Sequence, residues 1–129
     1  MKTTTLLVLV AAPLMAQPSD DFFRALHIVE TGGKRGAVLG DDGKSLGPLQ
    51  ISKAYHADSR VLGSYEKCGD LGYSKTVVSA YLKRWAPEAW RKGDVETLAA
   101  VHNGGPRGAS KPAATSFARK LKAFMPSKK

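Results

Sequence analysis

Residues 30–51 read ETGGKRGAVLGDDGKSLGPLQI, and the fold turns on how this stretch joins the segment before it to the segment after it. Upstream, residues 20–30, DDFFRALHIVE, place Phe22, Phe23, Leu26 and Val29 at spacings of three and four. That is the period of a helix with one apolar face, and Asp20 and Asp21 stand where they cap its start and complement its dipole. The helix ends at Glu30, because Thr31-Gly32-Gly33 supplies the left-handed backbone that helix exits use. Two short β-favouring runs come next, Ala37-Val38-Leu39 and Leu49-Gln50-Ile51, separated by Gly40-Asp41-Asp42-Gly43-Lys44-Ser45. Asp-Gly is a hairpin turn signal, so a small antiparallel hairpin is expected here.

Beyond it the chain reads as helices. Ser52 caps a short helix within SKAYHADSRVLG, ending by Gly63, and residues 64–72 are polar and glycine-containing, a loop. Residues 74–85, SKTVVSAYLKRW, put Val77, Val78, Tyr81, Leu82 and Trp85 on one face and stop before Pro87. A loop around Trp90 and Gly93 leads to Asp94, which caps DVETLAAVHN; Gly104 and Pro106 end that helix. Residues 115–125 carry Phe117, Leu121 and Phe124 opposite Arg119, Lys120 and Lys122. The fold class is therefore α+β: a mostly helical domain with one small antiparallel β-hairpin.

The chain of 129 residues is the size of one domain, and 43% hydrophobic content is ordinary for a globular protein. Lys2, the apolar run of residues 6–15 and the small residues Ala11, Ala12 and Ala16 form the three-part pattern of a secretory signal peptide over residues 1–16, leaving residues 17–129 as a single domain. The run falls short of the roughly 20 residues a spanning helix needs. A secreted or periplasmic location is expected. Cys68 is the one cysteine, so no intramolecular disulfide can form and packing must hold the fold, with Cys68 an inert, semi-buried thiol.

Loss of Lys2 with the leader lowers the formal charge from +9 to +8. After Pro106 come Arg107, Lys111, Arg119, Lys120, Lys122, Lys128 and Lys129 with no acid. Such a tail attracts polyanions, and export favours an anionic envelope surface over nucleic acid; a merely solubilising face is the plain alternative. His27, His56 and His102 lack ligand-spaced companions, so no metal and no cofactor is expected. No nucleic-acid module is recognisable, and a monomer is expected.

Cleaving a glycosidic bond needs one carboxylic acid that gives a proton to the leaving oxygen and, in most cases, an ionised carboxylate that attacks or stabilises the sugar cation. A glutamate at a helix exit, backed by the face that buries Phe22, Leu26 and Val29, is placed to lose water, which favours its protonated form. Asp41 and Asp42, in a polar turn close to backbone amides, stay ionised. The intervening chain is long enough to bring the turn back over the helix end.

The pieces E-x-G at Glu30, D-x-G with Ser45 and Gly47 from Asp41, PLQI over residues 48–51, Ala54-Tyr55 with Asp58, AYLKRW over residues 80–85 and His102-Asn103-Gly104-Gly105-Pro106-Arg107-Gly108 occur in this order. Together they resemble the invertebrate-type lysozymes, the destabilase family, over nearly the whole chain from Leu26 to Lys122. The resemblance implies a lysozyme-like fold and a muramidase that cleaves the β-1,4 bond between N-acetylmuramic acid and N-acetylglucosamine with a retaining mechanism. It implies Glu30 as general acid and Asp41 as nucleophile, with Asp42 as the alternative because the turn is one residue shorter than the family pattern. Ser45, Gln50, Tyr55, His102, Asn103 and Gly104 match positions that line the family's cleft, and peptidoglycan is the implied partner, with bacteriolytic, antimicrobial action. The family is commonly rich in disulfides, so this chain would be a cysteine-poor, bacterial member. An isopeptidase activity credited to some members is not expected, since Lys44 and Ser52 stand approximately where its serine and lysine belong. Two rival readings remain: a lytic transglycosylase using Glu30 alone, since E-x-G, G-x-x-Q-I and the asparagine–glycine–proline run also suit that branch, and a non-catalytic cationic envelope-binding protein.

Overall fold

The apolar stripe of residues 20–30 folds as helix α1, Asp20–Thr31, in the computed structural model, which describes residues 18–127. Phe22, Phe23, Ala25 and Leu26 are buried on its inner face, and Val29 packs at the edge of the core. Asp20 and Asp21 lie in the first turn, next to the positive end of the helix dipole, while Ser19 holds the N-cap position. At the other end Gly32 turns left-handed at φ 67, its amide closing on the Ile28 carbonyl at 2.8 Å. Thr31 then reaches across the chain. Its Oγ1 donates to the Pro48 carbonyl at 2.9 Å, pinning the helix exit to the turn beyond the hairpin. The leader expected over residues 1–16 lies outside the described residues.

The hairpin forms, with a different second strand from the one expected. Strand β1, Leu39–Gly40, pairs antiparallel with β2, Ser45–Leu46, in the register Leu39 to Leu46 and Gly40 to Ser45. Asp42 and Gly43, at φ 55 and 81, occupy the centre of a turn closed by the Lys44 amide on the Asp41 carbonyl at 3.1 Å. Positive φ at both central residues is what an Asp-Gly hairpin turn demands. Leu49-Gln50-Ile51 is not a strand. Pro48 fixes the corner of a second turn, closed by the Gln50 amide on the Gly47 carbonyl at 3.1 Å, and Gln50 itself is left-handed at φ 54. Only Ile51 then pairs, bridging back to Leu46, while Leu49 and Ile51 are completely buried.

Ser52 caps α2, Lys53–Ser59, accepting from the Tyr55 amide at 3.1 Å, and Arg60 ends it in left-handed backbone. The loop expected over residues 64–72 contains a 3-10 turn, Tyr65–Gly69, that buries Cys68. Asp70 caps α3, Leu71–Trp85, which buries Val77, Val78, Tyr81 and Leu82. The expected loop around Trp90 is instead a helix, α4, Pro87–Lys92. Pro87 both stops α3 and starts α4, because at the first helical position its missing N–H leaves nothing unpaired. Asp94 caps α5, Val95–Gly104, accepting from the Thr97 amide at 3.2 Å.

A second 3-10 turn, Gly108–Ser110, leads into α6, Pro112–Lys122. Its buried face is Ala114, Ala118 and Leu121; Phe117 is only partly buried and Phe124 is half exposed beyond the helix end. The expected Phe117–Phe124 stripe is thus rotated, because small alanines let α6 lie close against α5. The fold class is the one read from the sequence, six helices and a two-stranded antiparallel sheet among the described residues.

The core joins Phe22 and Leu26 of α1, Leu49 and Ile51 of the turn, Val77, Val78 and Leu82 of α3, Leu98 of α5 and Leu121 of α6, all essentially without exposure. Close backbone approach stands in for covalent bridges. Gly47, at φ 86, lies so near the 3-10 turn that an added Cβ would sit 1.8 Å from the Cys68 carbonyl oxygen. Gly47→Ala is therefore expected to lose about 2–4 kcal/mol from combined overpacking and left-handed strain. Gly36→Ala, at a similar φ of 86 with nothing within 4 Å, should lose about 1–2 kcal/mol from strain alone. Chemical denaturation of the two variants measures the difference.

Burial also pushes the Cys68 thiol up from 9.0 to about 11, with the Glu66 charge adding to it. The folded chain keeps this proton where the unfolded chain has lost it. The resulting stability is complete below pH 9 and disappears as pH rises towards about 11. A thermal midpoint that falls across this window, with a shallower fall in Cys68→Ala, is the expected outcome.

Candidate functional site

The ends of α1, α2 and α5 meet the hairpin around one cleft of about 700 Å³. Glu30 enters it from the last turn of α1, Asp41 and Ser45 from the hairpin, and Gln50 from the next turn. Tyr55 and Asp58 come from α2, Tyr81 from α3, and His102, Asn103 and Gly105 from the exit of α5.

A hydrogen-bond chain runs through one wall of the cleft. The Tyr55 hydroxyl lies 2.8 Å from His102 Nδ1, and His102 Nε2 lies 2.9 Å from Glu30 Oε2. The His102 side chain is 2% exposed and that of Glu30 16%. Burial first, then the Tyr81 and Glu30 charges, push the Tyr55 phenol well above its ordinary value, so it keeps its proton. A protonated phenol donates to Nδ1, which leaves the imidazole hydrogen on Nε2 and aims it at Glu30 Oε2. The Tyr55 ring is itself fixed from below by Tyr81, stacked at 3.7 Å with the planes 13° apart. Glu30 is thus oriented through one oxygen while Oε1 is left to the cleft.

No protein-family model matches the chain. Over 81 residues it is 38% identical to a lysozyme of the oyster Ostrea edulis, an alignment covering 59% of this chain and 58% of that relative. Its structure superposes on Meretrix lusoria lysozyme, solved in complex with Aeromonas hydrophila PliI, with a TM-score of 0.70 and 29% identity over 82% of this chain and 89% of that one. Tapes japonica lysozyme gives a TM-score of 0.67 at 27% identity, covering 81% of this chain and 88% of that one. In sequence and in fold the chain is similar to these bivalve lysozymes. Against the oyster relative, the match spans 58% of that protein's length.

Within this lysozyme-like fold, the residues picked from the sequence divide clearly. Glu30, Asp41, Ser45, Gln50, Tyr55, His102 and Asn103 all line the cleft; Asp42 and Gly104 do not. Asp41 sits at the foot of the turn and Asp42 at its tip, and of the two only Asp41 lines the cleft. Gly104 belongs to the face of α5 that packs on α6: an added Cβ would meet Ala114 Cβ at 2.7 Å, and its carbonyl accepts from Lys111 Nζ at 2.7 Å. Gly105, at φ 84, turns the chain into the cleft in its place.

Two of the residues expected to contact sugar also brace the cleft from within. Both ring nitrogens of His102 are engaged, so it supports Glu30 and has no nitrogen left for a ligand. Gln50 Nε2 donates to the carbonyls of Val38 at 3.2 Å and Gly47 at 3.0 Å, tying the hairpin to the turn after it. Its amide oxygen lies where a Cβ on Gly40 would be.

Asp58, Tyr81 and Gly105 line the cleft and stand out in the sequence only as parts of motifs, and Thr31, which pins the helix exit beside it, stands out there only as part of a helix stop. Tyr81 carries a usable signal, since a tyrosine on an otherwise apolar stripe brings a hydroxyl that needs an outlet. Thr31 carries none, because its partner lies 17 residues away. Among the described residues no group of three or more His, Cys, Asp or Glu side chains is placed to hold a metal ion.

Tyr55→Phe is expected to leave His102 Nδ1 buried without its donor, at a cost of about 1–3 kcal/mol. Imidazole nitrogen NMR should then change from one Nε2–H tautomer to a mixture, while the Tyr81 stack survives.

Proposed function

We propose that the chain is a muramidase that hydrolyses the β-1,4 bond between N-acetylmuramic acid and N-acetylglucosamine of peptidoglycan by a two-carboxylate mechanism. The observation that carries this reading is that Glu30 and Asp41 face one cleft from different elements, Glu30 braced by His102 and Asp41 from an open hairpin. The lysozyme names of the relatives support it.

In this reading Glu30 Oε1 gives its proton to the glycosidic oxygen as that oxygen leaves the sugar C1. The Asp41 carboxylate forms the new bond to C1. Water then attacks C1, Glu30 takes its proton, and Asp41 is released, so the anomeric configuration is retained. Holding Oε2 on His102 Nε2–H keeps the carboxyl plane fixed while Oε1 cycles, which is the positioning a proton transfer needs. Residues 1–16 serve as an export leader to the periplasm or the exterior. There the exposed Arg119 and Lys120 of α6 draw the protein to anionic envelope polymer.

Asp41 at the cleft favours hydrolysis over the glutamate-only transglycosylase, because that reaction has no use for a second carboxylate. The test is turnover of purified peptidoglycan with analysis of the product ends. Glu30→Gln is expected to lose about 10²–10⁴-fold in rate, Asp41→Asn to lose most activity, and Asp42→Asn to stay close to the unmodified protein, with reducing ends formed. Anhydro ends together with full activity in Asp41→Asn would establish the transglycosylase instead. Envelope killing unchanged in Glu30→Gln would establish the non-catalytic cationic protein.

A further inference from the structure

Asp41 is carried by a lightly supported part of the cleft. Leu39 is 66% exposed, residues 41–44 are exposed, and the Asp41 carboxylate has no hydrogen-bond or ion-pair partner among the described residues. Its main chain contributes a turn bond, the carbonyl accepting from the Lys44 amide at 3.1 Å. Packing holds the foot of the hairpin, where Gly47 lies on the Cys68 backbone and Ala37 lies beside Gly69. Where Asp41 stands in the cleft is therefore set by the angle at which the hairpin leaves this foot.

One side chain spans the two parts. Gln50 Nε2 gives one hydrogen to the Val38 carbonyl at 3.2 Å, where the hairpin begins, and the other to the Gly47 carbonyl at 3.0 Å, at its foot. Among the described residues no other side chain hydrogen-bonds to residues 37–46. Two carbonyl acceptors fix which end of the carboxamide is nitrogen, and Oε1 then lies against Gly40, the residue before Asp41. A Cβ at that glycine would sit 1.8 Å from Oε1 and 2.9 Å from Cδ.

The backbone is bent to make this reach possible. Gln50 stands at φ 54, in the left-handed region, which strains a residue with a Cβ and persists only where the surroundings over-determine it. Glycine or asparagine adopts that backbone more readily. What glutamine adds is the length that bridges the two carbonyls.

We propose that Gln50 is a positioning residue for Asp41: its carboxamide, forked between Val38 and Gly47 and packed against Gly40, sets the hairpin so that the Asp41 carboxylate faces the cleft that Glu30 enters. The assignment rests on the reading of Asp41 as the nucleophile. Gln50 acts without touching the reacting atoms, because a nucleophile misplaced by about 1 Å loses rate steeply.

Two variants disturb the fork from opposite sides. Gln50→Met keeps the side-chain length and removes both donors without adding charge. Gly40→Ala drives Gln50 Oε1, the far end of a flexible side chain, out of its place, so the fold is expected to survive. On soluble glycan fragments of peptidoglycan, each is expected to lose about 10–100-fold in kcat with KM within about 2-fold of the original, and the double variant to lose no more than either. In an Asp41→Asn background Gln50→Met should change the residual rate by less than about 2-fold, since the group it positions is gone. A merely structural glutamine costs the same factor in both backgrounds, and that result overturns the proposal. A raised KM at unchanged kcat also overturns it, making Gln50 a sugar contact. Amide hydrogen exchange tests the fork apart from catalysis. The Gly47 and Lys44 amides should exchange faster in Gln50→Met while the Tyr55 amide, held by the Ser52 cap, keeps its rate; unchanged exchange at Gly47 and Lys44 overturns the proposal. The muramidase reading fails separately: no turnover by the unmodified chain, with faster exchange at Gly47 and Lys44 in Gln50→Met, removes the enzyme and keeps the fork.

Discussion

The hydrogen-bond chain from Tyr55 through His102 to Glu30 is the constraint around which the rest of the molecule is arranged. It joins residues 47 and 72 positions apart in sequence and closes three helices onto one another. Each link is needed by the next. The Ser52 cap sets the first turn of α2 and with it Tyr55, the end of α5 presents His102, and the glycine exit of α1 leaves Glu30 in the last full turn before the chain reverses. A polar chain this deep is stable only when every member has a partner, and here both imidazole nitrogens do. The apolar core holds the helices at the spacing these bonds require.

Much of the framework is legible in the sequence because it is local. The 3.6-residue stripes of α1, α3 and α5 and the caps at Ser52 and Asp94 lie within a few residues of the elements they control. Pro87 misleads because one residue type has two meanings: it ends a helix behind it and can begin one ahead. The second strand is misplaced for a related reason, since Leu49 and Ile51 are apolar enough for a strand but Pro48 and the left-handed Gln50 bend them into the core.

The site is legible as a set of residues and less so as a set of roles. Which residue touches a ligand and which braces another depends on contacts between distant segments. His102 reads as a cation at a helix end until α1 brings Glu30 against it. Gly104 and Gly105 are adjacent and chemically the same, and only the direction of α6 decides that the first packs and the second lines the cleft. The charge pattern is equally invisible in one dimension: a chain with a formal charge of +9 encloses a cleft whose ionisable groups are mostly acids. Fields of opposite sign therefore stand on the body and in the cleft of one small domain.

The lone, fully buried Cys68 has one more consequence. Folds of this size often rely on oxidation to lock their loops, which ties their maturation to compartments that supply an oxidant and exposes them to reductants afterwards. Here the joint that a bridge could have held is made by Gly47 lying against the Cys68 backbone. Folding therefore needs no thiol chemistry, and the native state is indifferent to the redox potential of its surroundings, whether in a reducing cytoplasm or outside the cell.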